Sequence, residues 1–74
     1  MTHYERIRAL REDSDLTQTC IAEKLYIGQT TYSDYECGKI RIPVEILQHL
    51  ARYYNVSMDY ISGASNRKGH YPKE

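Results

Sequence analysis

Seventy-four residues make one domain, and a domain of that size buries only about 60% of its unfolded surface, which leaves little room for an enclosed catalytic pocket. Hydrophobic residues at 41% and charged residues at 27% exclude a disordered chain, and with no Trp or Phe the eight Tyr must supply the aromatic part of the core. Ten Lys and Arg balance ten Asp and Glu, so no overall basic charge marks a polyanion binder, but the distribution is uneven: Glu12, Asp13 and Asp15 are clustered acids, and Gly38 to Pro43 carries bases without an acid.

Tyr4, Ile7, Leu10 and Arg11 fall on one face of a first helix that ends near Asp13. Thr17 is placed to cap a second helix, Gln18 to Leu25, with Ile21, Ala22 and Leu25 on one side. The connection Tyr26-Ile27-Gly28 leads to a third helix, Gln29 to Cys37, whose buried face takes Tyr32 and Tyr35 and whose end is set by Gly38. Pro43 fits the first turn of a fourth helix, in which Leu47, Leu50, Ala51 and Tyr54 form the clearest apolar stripe. Ser57 caps a short fifth helix, Met58 to Ser62, closed by Gly63. Residues 64–74 are polar and aperiodic and read as a tail, with Arg67, Lys68 and Lys73 as solvated charges. The expectation is an all-α, five-helix domain over 1–63 followed by a polar tail over 64–74.

Cys20 and Cys37 form no CxxC pair, and with His3, His49 and His70 they match no zinc spacing, so they read as reduced thiols and no metal or other cofactor is expected. No apolar run is long enough to span a membrane and no hydrophobic signal region opens the chain, which makes the cytoplasm the expected compartment. No nucleophile–base pair or phosphate loop appears, so an enzyme is not expected. The informative stretch is Leu16 to Pro43: two short helices joined by a three-residue turn, with small Ala22 where the helices cross.

Leu16-Thr17-Gln18, Ile21-Ala22-Glu23-Lys24-Leu25, Tyr35-Glu36-Cys37-Gly38-Lys39 and the later Pro43 resemble the Cro/C1-type (XRE) helix-turn-helix proteins, and Leu50 to Ile61 is similar to their fourth-to-fifth-helix ending. The resemblance covers about residues 4 to 63 and implies a compact lambda-repressor-like fold. It also implies a sequence-specific regulator of transcription, a repressor, that binds double-stranded DNA. The third helix would enter the major groove by its N-terminal end, where free N–H groups and the helix dipole favour phosphate.

At that end Gln29 is the base reader the resemblance implies, able to pair with adenine N6 and N7, and Thr30 and Thr31 offer hydroxyls or methyls. Asp34, one turn on, can accept from cytosine N4 but would repel a phosphate. Gln18, Ser33, Lys39 and Arg41 are the expected phosphate contacts. Arg11 and Glu36 match an internal ion pair, whose disruption would cost roughly 3–5 kcal/mol. Tyr32, Tyr35, Tyr54 and Tyr60 read as core or interface aromatics. A homodimer is expected, with recognition helices about 34 Å apart and helix five, with Tyr60 and Ile61, at its interface.

Two positions depart from the family. Tyr26 stands where the family usually has Gly, and because a left-handed Tyr costs about 1 kcal/mol or more the turn is expected to shift toward Gly28. Gly28 itself replaces the usual Ser or Thr cap. Two other readings stay open: an antitoxin that pairs the same domain with a toxin partner, and an interaction adaptor that has lost DNA binding, for which the zero net charge and Asp34 speak.

Overall fold

The first helix starts on a cap that periodicity does not reveal. Thr2 Oγ1 accepts from the Glu5 backbone N–H and the Glu5 carboxylate accepts in return from Thr2 N–H, so two orphaned donors at the helix start are satisfied reciprocally. In the computed structural model, which describes residues 2–72, the order is α1 (His3–Asp13), α2 (Gln18–Lys24), α3 (Gln29–Glu36), α4 (Val44–Tyr54) and α5 (Met58–Ile61). No strand occurs among the described residues, and no helix there is long and apolar enough to cross a membrane.

Thr17 Oγ1 caps α2 by accepting from Cys20 N–H, and Ser57 Oγ caps α5 by accepting from Tyr60 N–H. Pro43 lies one position earlier than expected: it is the extended N-cap of α4 rather than a residue of its first turn. Gly38 ends the α3 region at φ +73, pressed so close to the Tyr4 ring that a Cβ would meet it at 3.1 Å. Asn55, a residue type that tolerates the left-handed region, turns the chain out of α4 at φ 53.

Helix α2 packs on α3, α4 on α5, and α1 on both α3 and α5, around one core. Ile7, Ile21, Tyr32, Leu50 and Ile61 are wholly buried, and Ala22 of α2, at 2% exposure, belongs to the same core cluster. Tyr32 thus takes the place that Phe holds in many cores. One sequence expectation changes here: Ile61 points into the core and offers no exposed surface to a partner, whereas Tyr60, half-buried beneath the Arg6 guanidinium at 3.9 Å from the ring centroid, keeps part of its surface in solvent. Among the described residues, the large apolar side chains that do face water are Tyr26, Ile40, Val44 and Tyr53.

Residues 64–72 are irregular and mostly exposed, yet they fold back on the helices rather than trailing away. Ser57 N–H donates to Lys68 O at 2.7 Å, Tyr71 N–H donates to Asn55 Oδ1, and the Tyr71 ring packs against the core with Arg52 over its face. Gly69 adopts φ +57 beside Ser57, where a Cβ would come within 3.2 Å of the serine Cβ. Arg6 completes the attachment: buried to 4% exposure, it donates to the carbonyls of Tyr60 and Ser65 and to Asn66 Oδ1, each at 3.3 Å. Arg67 and Lys68 face water; Lys73 lies outside the described residues.

Candidate nucleic-acid interface

Helix α3 has a wet face and a dry face. Tyr32, Tyr35 and Glu36 are buried against α1 and α2, which turns Thr30, Ser33 and Asp34 to the other side, while Gln29, at i, i+7 to Glu36, stands at the exposed α2 edge of the helix. Gln29 and Thr30 are exposed, Ser33 and Asp34 are half-buried, and Thr31 sits half-buried at the edge of the strip. Gly28 caps the helix in an extended conformation with no side-chain hydrogen bond, so the first N–H groups of α3 remain free for an anion. Lys39 and Arg41 follow on the exposed segment beyond the helix. Lys39 N–H donates to Asp34 O, which ties this basic segment to the end of α3.

The turn does not shift to Gly28. Tyr26 takes φ 58 and Gly28 an ordinary φ of −71. The left-handed tyrosine is tolerated because its neighbours are committed: Leu25 is buried, Ile27 packs on the core, and the N–H groups of Tyr26 and Ile27 close the end of α2 onto Glu23 O and Ala22 O. Tyr26 itself is 90% exposed, so its side chain gains nothing from the position.

Behind the strip runs a chain of polar side chains. Arg11 Nε donates to Glu36 Oε2 at 2.7 Å, its Nη2 donates to Glu36 Oε1 at 3.1 Å, and its Nη1 donates to Leu16 O at 2.8 Å. Glu36 is 3% exposed along its side chain and Arg11 13%, so this is a buried fork-to-fork pair. Gln18 Nε2 donates to Glu36 Oε1 at 3.2 Å, and Gln29 Nε2 donates to Gln18 Oε1 at 2.7 Å. Burial pushes the Glu36 carboxyl up, but hydrogen bonds from Arg11 and Gln18 and the nearby Tyr32 hydroxyl outweigh it and hold the group below the usual carboxylate range. Burial raises the Tyr32 and Tyr54 phenols above their ordinary value, and neither hydroxyl has a well-formed hydrogen bond among the described residues.

The structure therefore joins Arg11, Glu36, Gln18 and Gln29 into one network and leaves Thr30, Lys39 and Arg41 solvated. Gln18, expected on a phosphate, uses both ends of its amide inside the protein. The two glutamines meet because each is the first residue of its helix and the two helix starts lie within side-chain reach of one another. Cys20 is a half-buried and Cys37 an exposed free thiol.

A helix-turn-helix family model matches residues 7–61. An uncharacterized HTH-type transcriptional regulator of Bacillus subtilis, YobD, is 40% identical over 62 residues, which is 84% of this chain and 55% of that protein. The HTH-type transcriptional activator BcrR of Enterococcus faecalis is 34% identical over 80% of this chain and 29% of its own length. The cryptic phage CTXphi transcriptional repressor RstR of Vibrio cholerae is 37% identical over 69% of this chain and 46% of its own. A crystal structure of a transcriptional regulator from Listeria innocua superposes with a TM-score of 0.80 at 27% identity, over 99% of this chain and 62% of that one. The chain spans about half or less of the length of these curated relatives.

Proposed function

The chain belongs to the helix-turn-helix family, and from that premise we propose that it regulates transcription by binding duplex DNA in the major groove through the exposed strip of α3. The observation that carries this reading is the head of α3. An uncapped, open helix N-terminus stands beside an exposed Gln29 whose amide is already held in place. Gln29 reads an adenine, Thr30 and Thr31 contact neighbouring bases, and Asp34 accepts from a cytosine N4. Ser33, Lys39, Arg41 and the free N–H groups of α3 take phosphates, with Gln18 beside them. Two copies sit about 34 Å apart on a pseudo-palindromic site and repress by occluding it. A cytoplasmic location goes with this role.

A second reading, a protein-interaction adaptor without DNA binding, is favoured by the zero formal charge and by the Asp34 carboxylate on the same strip. Selection of bound sequences from a random duplex pool separates the two. Enrichment of paired half-sites one helical turn apart supports the regulator and its dimer, and log K falling linearly with log salt counts the phosphates engaged. No enrichment and no retention of duplex at low salt would sink the DNA-binding reading. A tightly co-purifying toxin would make the protein an antitoxin.

A further inference from the structure

The polar chain behind α3 has a direction. Arg11 offers only donors and the Glu36 carboxylate offers only acceptors, so neither end can be turned around. Gln18 must present its NH2 to Glu36 Oε1, where it lies at 3.2 Å. Its carbonyl oxygen is then forced to face Gln29, and Gln29 must answer with its own NH2, at 2.7 Å. A glutamine amide carries two N–H donors and one oxygen acceptor. One donor of Gln29 is spent on Gln18, so what remains for a ligand is one N–H and the carbonyl oxygen.

We propose that Glu36, acting through Gln18, is a specificity-positioning residue: it fixes the donor–acceptor order of the Gln29 amide and so selects adenine over guanine. In the major groove adenine offers one acceptor, N7, and one donor, N6, which complements the pair that Gln29 has left. Guanine offers two acceptors, N7 and O6, and calls for two N–H groups, of which Gln29 has one free. With the amide reversed, both donors would point outward and the preference would reverse with them. The consequence for DNA rests on the reading of α3 as the base-reading helix; the amide order itself does not.

The order is measured without DNA by NMR of the side-chain amides in 15N-labelled protein. The Gln18 amide protons are expected to lie close to the Arg11 Nη2 protons, which share Glu36 Oε1 with them, and one Gln29 amide proton is expected to be shifted and protected by its bond to Gln18. Glu36→Gln replaces the acceptor-only carboxylate with an amide that can turn either its oxygen or its NH2 toward Gln18, so the order is no longer dictated and the Gln29 amide should lose its single held state. Gln18→Met breaks the link but leaves the Arg11–Glu36 pair and the core untouched, so it answers the question even if Glu36→Gln fails to fold. In Gln18→Met the Gln29 amide should become mobile, and the adenine-to-guanine preference at its base pair should fall about tenfold or more. Gln18 amide protons found on the Gln29 side, or a Gln29 amide equally held in a folded Glu36→Gln protein, would overturn the proposal. An unchanged purine preference in Gln18→Met would overturn it too. A parent that binds no duplex defeats the function proposed above, while the amide spectra still decide the order.

Discussion

Two arginines of α1 leave water, and they do so toward different neighbours. Arg11 turns toward α3 and meets the Glu36 carboxylate in a forked pair behind the exposed strip. Arg6 turns toward α5 and the C-terminal segment, where its acceptors include backbone carbonyls and an asparagine amide, with the Tyr60 ring beneath it. The first arrangement places a full opposite charge in the interior and aligns side chains that a ligand can feel. The second holds irregular backbone in place. One helix thus stabilises two neighbouring regions with the same side chain, one for recognition and one for closure of the fold.

The largest effect should come from Arg11→Met, which leaves the 3%-exposed Glu36 without its cation and should lower unfolding stability by roughly 3–5 kcal/mol in denaturant melts. The loss should depend on pH. In the parent the Glu36 carboxyl is held below its unfolded value, so its contribution is present above about pH 4.3 and disappears as pH falls through the lower folded value. In the variant burial dominates and raises that value, so stability should instead fall as pH rises, and the two curves should converge in acid. Parallel curves would show that the pair does not govern this region.

Arg6→Met should cost roughly 1–3 kcal/mol, since it strands the carbonyls of Tyr60 and Ser65 that the guanidinium now satisfies. Faster amide exchange should appear at Ser57 and Tyr71 while duplex affinity of the folded protein stays unchanged; a comparable loss of affinity would merge the two regions into one. Tyr26→Gly should raise stability by about 1 kcal/mol, since a 90%-exposed side chain at φ 58 gives up no burial and sheds left-handed strain. Gly28→Ser should add only a few tenths of a kcal/mol, by supplying the missing cap bond where a Cβ meets nothing within 4 Å. Tighter, more salt-sensitive DNA binding by that variant would place the α3 N-terminus on a phosphate.

The recognition side was the more legible of the two. Periodicity and caps placed all five helices to within a residue or so, and Thr17, Gly38 and Ser57 mark their ends by ordinary local chemistry. Arg11 and Glu36 were found through the motif in which they stand. Arg6 could not be found that way: carbonyls of Tyr60 and Ser65 are acceptors any residue could supply, more than 50 positions along the chain. Ile61 misled because a short helix near the end of a pattern looks peripheral, whereas α5 packs on α4 and α1 and Ile61 is wholly buried. Tyr26 misled because the steric penalty of one residue was weighed without the burial of Leu25 and Ile27 on either side of it.

The pattern that identifies this domain closes at residue 61, but the object that folds does not. The Lys68 carbonyl sits on the N-cap of α5, the acceptors of Arg6 include Ser65 and Asn66, and Tyr71 is tied to the residue that ends α4. A chimera that grafts this reading head onto another protein at the edge of the family pattern would sever those ties and leave a four-residue helix to hold its own end. The portable module runs to Tyr71, and whatever is fused beyond it inherits a fixed departure point beside Asn55.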